Sequence, residues 1–80
     1  MQITLNDAIK LAIDSYEEEK KHIEYNGFEN SVDEPLKSLR TALKLVDDGK
    51  IKSLAELYKR KILLPGLATI IADYLEGIIN

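Results

Sequence analysis

Apolar residues recur along this chain at intervals of three and four positions, the spacing that places side chains on one face of an α-helix. The pattern is interrupted by glycine and proline residues and predicts four helices, at about residues 5–25, 34–48, 53–63 and 65–79. No segment of useful length alternates between apolar and polar residues, so no β-strand is expected. Four helices with short connections predict an all-α fold, a small four-helix bundle.

Capping residues support these boundaries. Thr4 precedes the first helix and Asp7 follows three positions later, which resembles a capping box. Ser53 and Glu56 form the same arrangement, with the usual residue types, at the start of the third helix. Pro65 is expected to end or kink the third helix, because a residue before proline disfavours the helical conformation. The remaining boundary signals are Asn26-Gly27, Pro35 and Gly49.

The fourth helix carries more apolar residues than a surface helix needs. Its apolar positions fill about 200° of the helical wheel, whereas a stripe of about 100° suffices for a helix packed on one side. Either this helix lies at the centre of the bundle, or part of it is exposed to a partner or to a second copy of the chain. The candidate surface consists of Ile71, Leu75, Ile78 and Ile79.

Length and composition indicate one globular domain over residues 1–80, with 45% hydrophobic and 31% charged residues. The chain has no cysteine, which excludes disulfides, thiol nucleophiles and cysteine-ligated metals and is typical of a reducing cytoplasm. Its first residues lack the basic start of a signal peptide, and no apolar run exceeds three residues. We therefore expect a cytoplasmic protein without a transmembrane segment.

Charge is unevenly distributed along the sequence. Residues 1–34 carry nine acidic and three basic side chains, a net charge of −6, whereas residues 35–80 carry a net charge of +3. The acidic half of the first helix is either a solubilising face or a negative surface for a basic partner. The candidate partner-binding residues on this acidic face are Asp14, Glu17, Glu18 and Glu24.

Catalytic and metal-binding patterns are incomplete. Glu19 and His22 have the spacing found in di-iron bundles, but those sites need the unit twice, and this chain has one histidine. A hydrolytic triad also needs a histidine, and His22 falls near the end of a surface helix. The four glycines are scattered singly, so no phosphate-binding loop is expected. We predict no enzyme activity, no cofactor and no metal.

A basic stripe provides an alternative function. Lys37, Arg40 and Lys44 share one side of the second helix, and Lys59, Arg60 and Lys61 add to the positive half of the chain. They allow weak binding to a nucleic-acid backbone. The fourth helix, which would occupy the recognition position of a helix-turn-helix, has no basic residue within 66–80. A net charge of −3 also argues against nucleic acid.

In the order of its helices the chain resembles the small helical-bundle immunity proteins that protect bacteriocin producers. The likeness lies in the long first helix, the leucine-rich segment 35–45, and the segment 54–64 that is followed by Pro65 and an apolar last helix. This chain is shorter than those proteins, is acidic where they are usually basic, and lacks their extended C-terminal tail. Because the likeness is one of helix pattern, no residue role is carried over.

These observations predict a non-enzymatic protein-binding module that acts as a small inhibitor of a protein partner, of the immunity-protein, antitoxin or phage-inhibitor type. Two alternatives stay open. One is a homodimeric structural or regulatory protein that self-associates through the fourth helix. The other is a weak nucleic-acid backbone binder that uses the basic stripe.

Overall fold

The computed structural model describes residues 3–26, 33–64 and 66–77, and this part of the chain contains four α-helices and no β-strand. The helices are α1 (Leu5–Asn26), α2 (Asp33–Asp47), α3 (Leu54–Lys59) and α4 (Leu67–Glu76). The predicted all-α fold with four helices is confirmed. Phe28 and Gly27, in the predicted first connection, lie outside the described residues.

The predicted N-terminal caps are present. The hydroxyl Oγ1 of Thr4 accepts the backbone N–H of Asp7 at 3.2 Å, and Oγ of Ser53 accepts the N–H of Glu56 at 3.2 Å. Each bond satisfies one of the backbone donors that the first turn of a helix leaves without an intrahelical partner. The starts of α1 and α3 therefore follow from local sequence.

The end of α3 differs from the prediction, since the helix stops at Lys59 instead of residue 63. Lys61 adopts a left-handed conformation with φ of 58°, and its N–H donates to the Tyr58 carbonyl at 3.1 Å. The next N–H, of Ile62, donates to the Leu57 carbonyl at 3.1 Å. This pair of bonds is a Schellman motif, which turns the chain away from the helix axis before Pro65 is reached.

Glycines set the other helix ends. Gly49, with φ of 74°, closes α2 through the same motif, as the sequence predicts. Gly66 precedes α4 with φ of 92°, which explains why α4 begins at Leu67 and not at residue 65. Gly77 takes a left-handed conformation after Glu76, so the regular part of α4 ends earlier than predicted. Residues 78–80 lie outside the described part.

The hydrophobic core is built around α1, which packs against both α2 and α4, while α3 packs against α4. Four residues of α1 are buried, at spacings that give two adjacent rows on the inner side of the helix. The partly buried Tyr16 extends this inner side towards the C-terminal half of the helix. The buried core residues are Ala8, Ile9, Ala12, Ile13, Leu36, Leu39, Ala42, Ile51, Leu57, Leu63, Leu67 and Ile71.

The hydroxyl of Ser38, on α2, hydrogen-bonds the connection between α3 and α4. Oγ of Ser38 donates to the Ile62 carbonyl at 2.7 Å and accepts the N–H of Leu64 at 3.2 Å. Both backbone groups belong to an irregular segment, where no helix ladder can satisfy them. Ser38 therefore supplies the hydrogen bonds that this turn cannot make within itself.

Candidate protein-binding surface

The outward side of α1 carries carboxylates around one exposed leucine. Asp7, Leu11, Asp14 and Glu18 follow one another at spacings of four, three and four residues, which aligns them along one stripe of the helix. All four are exposed, and Leu11 retains 43% of its accessible surface. We call this stripe the α1 outer face. It points away from the core because the buried residues of α1 occupy the opposite side.

Most of the charge on the α1 outer face is not neutralised within the chain. Asp7 and Asp14 have no ion pair within 4.0 Å among the described residues. Glu18 lies 3.7 Å from the Lys21 ammonium, but both side chains are largely exposed, so water screens this pair. With the exposed Lys10 and Lys21 counted beside its three carboxylates, the face carries a small excess of negative charge around an apolar centre.

The predicted acidic residues divide between two environments. Asp14 and Glu18 belong to the α1 outer face, whereas Glu17 turns towards α2, where its carboxylate lies 3.9 Å from the Arg40 guanidinium. Glu17 is therefore part of the α1–α2 contact, although 49% of its side-chain surface stays exposed. The Glu24 side chain lies outside the described part of the structure, as does that of His22.

The apolar surface predicted on α4 is not exposed where the structure describes it. Ile71 is completely buried, so it belongs to the core and cannot contact a partner. Leu75 is partly buried and packs against the core cluster. Within 67–77 no large apolar side chain is exposed, because α1 and α3 cover the wide apolar arc. The predicted residues Ile78 and Ile79 lie outside the described residues.

The basic stripe is interrupted by ion pairs. Arg40 faces Glu17 of α1, and the Arg60 guanidinium lies 3.6 Å from the carboxylate of Glu56 one turn earlier. Lys37 and Lys44 are exposed on α2. Two of the six basic residues in the predicted stripe are thus engaged with carboxylates of the same chain, which lowers the positive potential that a phosphate backbone would meet.

Sequence reasoning missed three exposed apolar residues. Leu11 stands outside the apolar stripe of the first helix, and this departure was a readable signal for a surface leucine. Tyr58 and Leu64 are 66% and 37% exposed and flank the turn after α3. The left-handed Lys61 lies between them in the sequence, and no glycine or asparagine signals that turn.

The phenol of Tyr16 is perturbed by its surroundings. Burial, and to a lesser extent the negative charge of Glu19, raises the pKa of the Tyr16 phenol. No three histidine, cysteine, aspartate or glutamate side chains converge as a metal site within residues 3–26, 33–64 and 66–77. In the same residues, no helix is long and apolar enough to cross a membrane.

Comparison with known proteins identifies no relative from which a role could be transferred. The chain matches no protein-family model, no curated protein and no solved structure. Its function therefore has to be inferred from the chemistry of its own surface.

Proposed function

We propose that this protein is a non-enzymatic binding module that inhibits a protein partner, and that the α1 outer face is its principal contact surface. The observation that carries the proposal is the exposed Leu11 at the centre of a row of carboxylates. A partner with a basic surface around an apolar pocket complements this face. An immunity protein, an antitoxin or a phage inhibitor works by such a contact.

The proposal is supported by how little the α1 outer face contributes to folding. The core side of α1 is complete without Leu11, and Asp14 has no ion pair in the described structure. A leucine that remains 43% exposed loses part of the hydrophobic stabilisation that its burial would give. Seated in an apolar pocket of a partner, Leu11 would act as an interface anchor, because a few such residues supply most of the binding free energy.

Charge on this face acts mainly on the association rate. Asp7 and Asp14, which have no ion pair among the described residues, and the exposed Glu18 attract a basic surface. This attraction extends over about one Debye length, ~8 Å at physiological ionic strength. Such attraction raises the association rate constant and makes it fall with added salt, whereas Leu11 sets how slowly the complex dissociates.

Paired affinity captures from the native host test the proposal. The baits are the wild-type chain, Leu11→Ser, the double variant Asp14→Lys with Glu18→Lys, and the control Asp48→Lys with Glu76→Lys. The control makes the same change in net charge at exposed ends of α2 and α4. We expect one protein to be retained by the wild-type and control baits and lost by both variants of the α1 outer face.

The captured protein then serves for quantitative binding and inhibition. We expect Leu11→Ser to weaken the affinity by about tenfold or more, as for an interface anchor. The double variant should mainly slow association, and stoichiometric wild-type chain should suppress the partner's activity. A partner that binds all four baits equally, or whose activity is unchanged in the complex, would refute the proposal.

A further inference from the structure

A second surface, distant in sequence from the α1 outer face, lies at the turn between α3 and α4. A cavity of about 430 Å³ opens there, lined by Tyr58, Lys59, Lys61, Leu63 and Leu64. We call it the Tyr58 groove. Two of the three large apolar side chains exposed in the described residues, Tyr58 and Leu64, lie in its lining. The surface thus combines an aromatic ring, an aliphatic floor and two ammonium groups.

The groove continues past Leu64 into a second hollow of about 400 Å³. Leu64 lines both hollows, and Lys37, Ser38 and Thr41 of α2 line the second one. Two hollows that share a lining residue suit an extended peptide, whose side chains can enter successive hollows.

The backbone beneath the groove is held in place before any ligand arrives. Ser38 bonds the carbonyl of Ile62 and the N–H of Leu64, the residues on either side of the buried Leu63. A preformed site costs less conformational entropy on binding than a loop that must be ordered. The irregular segment that lines the groove is therefore a fixed surface.

Lys61 occupies a backbone conformation that glycine tolerates better. Its φ of 58° costs about 1 kcal/mol relative to glycine, and the equivalent positions after α2 and α4 are Gly49 and Gly77. Lys61 is the one non-glycine residue with positive φ in the described chain. A strained residue that also lines a cavity is typical of a functional position, since strain is retained where the side chain is needed.

The charges around the groove specify an anionic ligand. Lys59 and Lys61 line the first hollow, whose described lining residues include no carboxylate, and Lys37 lines the second together with Glu34. The Arg60 charge is directed towards Glu56 instead. The aliphatic surface of Leu63 and Leu64 suits an apolar side chain better than a phosphate, because a phosphate packed against it would lose part of its hydration.

We infer that the Tyr58 groove binds a short acidic peptide segment of a protein partner, with a large apolar side chain seated against Tyr58 and Leu64. Carboxylates on either side of that anchor pair with Lys59 and Lys61. The inference goes beyond the proposed function, because it concerns a different surface and a ligand of the opposite charge. The two can fail separately, since no residue of the α1 outer face enters the test below.

The test follows backbone amide shifts of the isotope-labelled full chain during titration with four probes to millimolar concentration. The first probe is the capped octapeptide Glu-Glu-Leu-Glu-Glu-Phe-Glu-Glu. The second replaces its Leu and Phe by Ser, the third replaces every Glu by Lys, and the fourth is an eight-residue thymidine oligonucleotide. We expect the first probe alone to produce saturable shifts, confined to residues 58–64 and the adjoining turns of α2.

Variants then assign the contacts. Lys59→Gln with Lys61→Asn removes both charges while asparagine tolerates the left-handed backbone, and we expect about tenfold weaker binding. Lys50→Gln with Lys52→Asn makes the same charge change outside the groove and should bind as wild type. Lys61→Gly should raise the urea midpoint of unfolding and still weaken binding, which separates loss of the ligand from loss of the fold.

Each other outcome overturns the inference. Equal shifts from the serine peptide would make the groove a general anion surface without an apolar subsite. Equal or stronger shifts from the oligonucleotide would identify a nucleic-acid site. Shifts from the lysine peptide at these residues, unchanged binding in Lys59→Gln with Lys61→Asn, or no saturable shift from any probe would equally contradict it.

Discussion

At the scale of single residues, the Ser38 hydroxyl shows how a polar side chain of one helix stabilises the turn between two others. Ser38 lies on α2 and yet satisfies two backbone groups of the segment between α3 and α4. Neither partner could be identified from the sequence, because both lie 24 or more positions away and the bonds depend on how the helices pack. The caps at Thr4 and Ser53, by contrast, were predictable because donor and acceptor are three residues apart.

Replacement of Ser38 by alanine should therefore destabilise the fold beyond the loss of one surface contact. We expect the free energy of unfolding to fall by about 1 kcal/mol, because the part-buried Ile62 carbonyl loses its partner, whereas water can replace the hydroxyl at the exposed Leu64 N–H. Urea unfolding measures the change. Thr41→Ala is the matched control, since its hydroxyl bonds only the Lys37 carbonyl within the same helix. Equal effects of the two substitutions would contradict the role given to Ser38.

Tyr16 should make stability depend on pH in the alkaline range. Burial and the charge of Glu19 raise its pKa above the ordinary value of 10.0, so the folded chain holds the phenolic proton more tightly than the unfolded chain does. This contribution is complete below pH 10 and is lost as the pH rises through the folded pKa. Between pH 9 and 11, the urea midpoint of the wild type should fall more steeply than that of Tyr16→Phe. The exposed Tyr58→Phe should follow the wild type, and parallel curves for all three would refute the assignment.

At the scale of elements, α4 shows why an apolar arc does not by itself indicate a binding surface. Periodicity predicted its 200° apolar face but could not show which neighbours cover it, and the structure places α1 and α3 against it. The same arc was compatible with a dimer interface, since a helix wheel contains no tertiary contacts. For α1 the periodicity does contain a signal, since Leu11 lies outside the apolar stripe, but no surface was predicted around it.

A matched pair of truncations distinguishes these two helices. Ile71→Ala removes a completely buried side chain from α4 and should cost about 2–5 kcal/mol, through lost burial and the cavity left behind. Leu11→Ala removes an exposed side chain from α1 and should change stability by no more than about 0.5 kcal/mol. The free energies come from urea unfolding at neutral pH. Similar losses at both positions would contradict the burial described here.

At the scale of the whole molecule, the sequence predicted class and helix number better than it predicted surfaces. Local signals determine caps and periodicity, and these were sufficient for an all-α fold. The candidate surfaces depend on packing, which places Ile71 in the core, brings Glu17 to Arg40 and leaves Tyr58 exposed. The turn at Lys61 produced the largest change, because it shortened α3 and opened the groove beside it.

Among the side chains that the structure describes, exposed apolar surface is sparse, and on that basis we expect a monomer in the absence of a partner. Within this part of the chain Leu11 is isolated on α1, and Tyr58 and Leu64 are the other large apolar side chains exposed, which is less than a stable symmetric interface needs. Sedimentation equilibrium between about 10 and 300 µM, a range in which weak dimers appear as the dissociation constant is approached, should give the 9.0 kDa monomer. A mass that rises with concentration would contradict this expectation.

The position of α1 between α2 and α4 also affects how the protein is made. On the ribosome α1 emerges before α2, and α2 before α4. The side of α1 that packs against α4 stays uncovered until about 50 further residues have been synthesised. Their synthesis takes on the order of 3–10 s at cellular rates. Ile9 and its neighbours are exposed to water and to chaperones during that interval. We expect ribosome-bound chains that stop after α3 to be degraded readily by protease and chains that include α4 to be protected, so that the last helix completes the fold.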